Sequence, residues 1–180
     1  GNTLIIKYSK PKLNIGFVST PNKTLQVDIP ADWECGSFQL TTVSAGVSIQ
    51  GLQADKIALE GVSAACTVEC NAKEVSISTV SGEVEFFGEV QELECESVSG
   101  ECSIRLLGTT VQKINLESVS GDMTVTLPDG LGFTVELDST SGDLHTDLPT
   151  DNRNGKLVYG DGSCQIDAET VSGDVNINKQ

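Results

Sequence analysis

Ser118-Val119-Ser120-Gly121-Asp122-Met123-Thr124-Val125 is the stretch whose reading decides the fold. A small polar residue, Val and Ser-Gly lead to an acid, after which every second residue is apolar. The pattern recurs at Thr79-Val80-Ser81-Gly82-Glu83-Val84-Glu85-Phe86, at Ser97-Val98-Ser99-Gly100-Glu101-Cys102-Ser103-Ile104 and at Thr170-Val171-Ser172-Gly173-Asp174-Val175-Asn176-Ile177. A worn copy stands at Ser139-Thr140-Ser141-Gly142-Asp143-Leu144, and two early copies, around Ser44 and Ser63, lack the Ser-Gly pair. The motif serine falls at 44, 63, 81, 99, 120, 141 and 172, in steps of 19, 18, 18, 21, 21 and 31. A self-similar period near twenty residues, as the first five steps show, marks a repeat architecture.

The residues outside the motif say how each unit is built. Apolar residues alternate before the corner, as in Ile57 and Leu59, Val75 and Ile77, Ile114 and Leu116, and Ile166 and Ala168. They alternate again after it, as in Val84 and Phe86, Cys102 and Ile104, Met123 and Val125, and Val175 and Ile177. Period two on both sides predicts two short strands per unit, each with one buried face. A helical period is absent, so the class is all-β. The motif pairs Ser81-Gly82, Ser99-Gly100, Ser120-Gly121, Ser141-Gly142 and Ser172-Gly173 read as structural corners, where Gly permits the turn and the hydroxyl bonds nearby backbone.

Two topologies fit. In a right-handed parallel β-solenoid equivalent strands stack, like above like, whereas in an antiparallel β-meander or sandwich each unit is a hairpin about its Ser-Gly. Recurrence of one residue type at one slot favours the solenoid. It predicts that Gly82, Gly100, Gly121 and Gly142 form a column. Residues 1–37 are expected to be capping strands (3–6 and 25–29) around a polar loop with Pro11 and Pro21, and 38–180 the repeats, within one domain. The long last step holds Asp151-Asn152-Arg153-Asn154-Gly155, a loop by composition, and Tyr159-Gly160-Asp161-Gly162-Ser163-Cys164, a further turn.

With 26 acids against 11 bases and a formal charge of -15, the chain opposes nucleic acid and anionic lipid. Its apolar runs are too short to enter a bilayer as a spanning segment. The chain opens Gly1-Asn2-Thr3 without Met, so an export signal or anchor is expected to lie outside this sequence. Of six cysteines, Cys66, Cys95 and Cys102 occupy apolar slots of the repeat and are expected to be reduced core thiols.

The run Leu25-Gln26-Val27-Asp28-Ile29-Pro30, the successive Val-Ser-Gly-acid units, Gly160-Asp161-Gly162 and the closing Thr170-Val171-Ser172-Gly173-Asp174 resemble the bacterial putative-adhesin, or toastrack, domain family. Ala45 and Ala64 depart from it, standing where that family usually has Gly. The resemblance implies a β-solenoid, a cell-envelope or envelope-stress role with a protein or glycan partner, and no catalytic residues.

Chemistry is sparse. The corner acids Glu83, Glu101, Asp122, Asp143 and Asp174 would form a column if the units stack, which makes them calcium candidates. Calcium wants six to eight oxygens, and the glycine-rich repeat of calcium rolls is missing, so they read instead as turn residues bonding local amides. A glycan-processing β-helix needs paired carboxylates with basic partners. The chain has one histidine, His145, beside Asp143, and two arginines, Arg105 and Arg153, and these read as a solvated surface. The expected function is therefore a non-enzymatic envelope interaction domain without cofactor or metal. A structural spacer that self-associates through the solenoid ends is the alternative, and a cytoplasmic location is the alternative to the extracytoplasmic envelope.

Overall fold

The computed structural model describes residues 5–6, 24–30 and 35–180. Two compact units separate, Gly1–Pro30 and Ala31–Gln180, and the repeats belong to the second. The expected strand at 3–6 and the loop with Pro11 and Pro21 fall mostly outside the described residues. The strand expected at 25–29 is not formed: that segment is exposed and has no strand pairing.

The described residues hold no helix. They form β1 (Cys35–Thr42), β2 (Val47–Gly61), β3 (Cys66–Thr79), β4 (Val84–Glu89), β5 (Glu92–Ser97), β6 (Cys102–Leu106) and β7 (Lys113–Ser118). There follow β8 (Met123–Leu127), β9 (Phe133–Ser139), β10 (Leu144–Thr146), β11 (Asp151–Arg153), β12 (Lys156–Tyr159), β13 (Cys164–Thr170) and β14 (Val175–Lys179). Among the described residues the array is already present at Cys35, three residues before the expected boundary at 38, because Cys35 pairs with Ala54.

Each unit sends one strand into its Ser-Gly corner and one strand out. The entering strands stack in parallel: β1, the second halves of β2 and β3, then β5, β7, β13 and β9. The leaving strands stack likewise: the first halves of β2 and β3, then β4, β6, β8, β14 and β10. This overturns the meander. Ile114 pairs with Leu93 and Ile166, its equivalents in neighbouring coils, and Met123 with Cys102 and Val175.

The alternation explains the core. Ile57, Val75, Leu93, Ile114, Ile166 and Val135 form one inward row, and Cys66, Val84, Cys102, Met123 and Val175 form another facing the same interior. Every residue of both rows is buried, so water is excluded along the array by repetition of one slot.

The order of coils differs from the order of sequence. The last coil, β13–β14, lies between the coil of β7–β8 and the coil of β9–β10. The long last step is what allows this. Asp151–Arg153, read from composition as part of a loop, is a strand that turns back through Asn154 (φ 57°) and Gly155 (φ 85°) into β12. Positive φ at both central residues is what a two-residue hairpin matching the strand twist requires. β12 runs antiparallel to β9 and covers it, with the Phe133 and Tyr159 rings 5.6 Å apart. The predicted turn at 159–164 then carries the chain back to β13. Cys164 N–H donates to Gly132 O (3.0 Å), and a Cβ at Gly132 would strike Asp161, so the return passes hard against that glycine.

Candidate functional site

The corners carry most of the repeated polar chemistry, and their two hydroxyls have separate tasks. The residue before Val closes its own corner. Ser118 Oγ accepts from Gly121 N–H (2.8 Å) and donates to Gly121 O (2.9 Å), and Ser97 does the same with Gly100 at 2.8 and 3.0 Å. Thr170 Oγ1 likewise accepts from Gly173 N–H (2.9 Å). The motif serine reaches across to the neighbouring coil instead. Ser81, Ser99, Ser120, Ser172 and Ser141 donate to the carbonyls of Val62, Val80, Val98, Val119 and Val171 at 3.0–3.3 Å.

The glycine column exists, with one insertion. Its order is Ala64, Gly82, Gly100, Gly121, Gly173 and Gly142, and a Cβ on any of the five glycines would run into the preceding member's carbonyl. Close approach of neighbouring backbones accounts for the residue type.

Beside this column lies a row of half-exposed valines. The serine amides bond the valine carbonyls of the coil before, which fixes the order Val43, Val62, Val80, Val98, Val119, Val171 and Thr140. Val43 is 70% exposed and the other five are 44–49%, whereas Val84, Val125 and Val175 in core slots are fully buried.

The corner acids form the third row, in the order Glu83, Glu101, Asp122, Asp174 and Asp143. Asp122 Oδ1 accepts from Asp174 N–H (2.9 Å), and Asp174 Oδ1 accepts from Asp143 N–H (3.0 Å). Those two side chains therefore satisfy turn amides, although the amides belong to the next coil rather than their own. At the end of the row Asp143, His145 and Asp174 converge, each offering a donor atom within 4.8 Å of the others. His145 Nε2 is 3.9 Å from Asp174 Oδ2. Spacing alone joined Asp143 to His145, and the third member comes from the displaced last coil. Neither arginine belongs to this group: Arg153 pairs with Asp151 (3.6 Å), and Arg105 sits on exposed β6 backbone register opposite Phe87 and Thr126.

A further set of acids went unread. Glu96, Glu117, Glu169 and Asp138 occupy one outward position on consecutive entering strands. Burial pushes the Glu117 carboxyl above its ordinary range, and the charges of Glu96, Glu169 and Glu94 push it further. The signal was legible as Glu-Ser/Thr-Val-Ser-Gly at 96–100, 117–121 and 169–173.

The cysteine reading needs a correction. Cys66, Cys70 and Cys164 are buried free thiols, and burial pushes the last two up to about 12, which leaves them unreactive. Cys95 and Cys102, both buried, are instead joined as a disulfide with Cα atoms 7.4 Å apart. The two strands of one coil face a common interior, so apolar slots on either side of a corner oppose each other. Register against neighbouring coils, taken alone, treats them as unrelated.

A search of curated proteins finds no match. One solved structure, described as a putative cell adhesion protein from Clostridium sporogenes, is similar at a TM-score of 0.49 and 13% identity, over 82% of this chain and 92% of that one. The Toastrack DUF4097 family matches residues 27–178. The glycine-lined corners, the parallel stacking and this match agree, and the chain belongs to the Toastrack DUF4097 family.

Proposed function

We propose that this chain is a non-enzymatic, adhesin-like interaction domain of the bacterial cell envelope, and that it binds through its corner edge. The coils are wound right-handed, as parallel crossovers prefer, with a repeat of about twenty residues as the platform. The observation that carries the reading is the valine row. Six apolar side chains are held in register at the surface, at a spacing of about 4.8 Å per strand, which extends the row to roughly 24 Å. Contiguous exposed apolar surface of this kind marks interaction sites.

The flanking acid row and the -15 charge favour a partner that brings apolar and basic groups together, so a protein fits better than a neutral glycan. The same charge disfavours nucleic acid. The Cys95–Cys102 disulfide supports an oxidising, extracytoplasmic location over the cytoplasmic one.

Beads coated with the chain should adhere to bacterial envelope preparations. Replacing Val80, Val98 and Val119 with Asp should lower adhesion at least tenfold while leaving the melting temperature within a few degrees. Equal adhesion by the triple variant would overturn the reading. Growth of oligomers with concentration in light scattering, abolished by the same substitutions, would move the function to the self-assembling spacer.

A further inference from the structure

We propose that Asp143, His145 and Asp174 form a surface site for a divalent transition-metal ion, with zinc as the ion of first choice. The site stands apart from the adhesin reading and does not depend on it. Three observations converge.

The first is the donor set. The only imidazole of the chain meets two carboxylates, and all three donor atoms lie within 4.8 Å of one another. Ligands of one zinc ion at about 2.0–2.2 Å from the metal lie roughly 3.3–3.6 Å apart in a tetrahedron. His145 Nε2 and Asp174 Oδ2, at 3.9 Å, are too far apart for a hydrogen bond and only a few tenths of an ångström outside that spacing. All three side chains reach solvent, so small rotations close the set.

The second is support behind the ligands. Asp174 is held on both sides, its Oδ1 by Asp143 N–H and its own N–H by Asp122 Oδ1. A carboxylate oriented through one oxygen leaves the other free for a metal, as outer hydrogen bonds do in metal sites. His145 is placed by parallel pairing of β10 with β14, opposite Asn176.

The third is topology. Asp143 and Asp174 are 31 residues apart and become neighbours only because the last coil is displaced into the array. Parallel stacking sets two like charges about one strand spacing apart, and a shared cation removes that repulsion. The imidazole then decides which cation. Nitrogen ligation suits zinc, nickel and copper, whereas calcium prefers an all-oxygen shell. This separates the site from the calcium column considered for the corner acids, of which only Asp143 and Asp174 take part. Three protein ligands leave at least one position for water or a partner's donor group.

The test is isothermal titration of chelator-stripped chain with zinc chloride and with nickel chloride at pH 7.5. One ion per chain with a dissociation constant in the micromolar range is expected. His145→Ala and Asp174→Asn should each weaken binding at least tenfold, while circular dichroism remains that of the wild type. Absence of binding by either metal overturns the proposal. So does binding retained in both variants, which would place the ion elsewhere, for instance on a cysteine. Binding of calcium as tight as zinc, lost in Asp174→Asn but kept in His145→Ala, overturns it in favour of an acid-only site.

Discussion

The corner at Ser118–Asp122 and the corner at Gly61–Ala65 make the same turn with different chemistry. At the first, Ser118 closes the turn through both polar groups of Gly121, and Gly121 admits the carbonyl of Gly100. At the second, Gly61 stands where the closing hydroxyl belongs, and Ala64 fills the glycine slot while fully buried. The demand for glycine is directional. Gly82 must be glycine because a Cβ there would strike the Ala64 carbonyl, whereas the slot at Ala64 holds a Cβ and is buried. The glycine requirement therefore begins at Gly82 and holds at Gly100, Gly121, Gly173 and Gly142.

Gly121→Ala should give the largest effect, because its Cβ collides with backbone that is itself hydrogen-bonded. A loss of about 3 kcal/mol or more is expected in urea unfolding, from overpacking that cannot be relieved by a rotamer. Ala64→Gly, at the looser corner, should cost under about 1 kcal/mol, mostly through chain entropy. Equal costs at the two positions would remove that contrast.

Reduction of Cys95–Cys102 comes next. Its short loop limits the entropic stabilisation to about 2–2.5 kcal/mol. Thiol titration of unfolded protein without reductant should recover four sulfhydryls, and six after reduction. Six without reductant would restore the expectation of reduced core thiols at these two positions.

Ser118→Ala should cost about 1–2 kcal/mol, since it orphans a Gly121 amide at a buried corner. Thr79, the same slot two corners closer to the start, behaves differently. Its Oγ1 is buried without a hydrogen-bond partner among the described residues, so Thr79→Val should be neutral or slightly stabilising. A large cost at Thr79 would mean that the early corner is closed by its hydroxyl after all.

The smallest effect belongs to the outward acids, which are consecutive at Glu96, Glu117 and Glu169 but interrupted at Ser78 toward the start. A carboxyl whose folded pKa is raised opposes folding when ionised, so its cost is absent below the unfolded pKa and sets in as pH rises past it. Glu117→Gln should therefore raise the melting temperature slightly at pH 7 and leave it unchanged near pH 3.

The array was legible because burial in a strand depends on alternation alone. Ile114, Leu116, Met123 and Val125 read as core from the sequence and are fully buried. The corner glycines were equally plain. What alternation does not carry is the identity of the neighbour. Both later corners present a Ser-Gly edge, so the motif alone does not say that Gly173 rather than Gly142 packs on Gly121. The choice lies in the hairpin at 151–159, whose only local sign was Asn154-Gly155. The Asp-His-Asp cluster was hidden for the same reason, and the Cys95–Cys102 pair because the facing of two strands across a coil is a thickness, which no period reports.

The displaced last coil has a consequence for the order of assembly during synthesis. A chain that folded strictly as it left the ribosome would lay residues 133–146 directly on 113–127, against matching edges and with nothing to refuse them. The native array needs that berth left vacant until residues 164–179 arrive, or else vacated when they do. The step from nascent chain to finished array is thus an insertion between coils rather than an addition at an end. It waits on residues 164–179, which enter between two coils made before them.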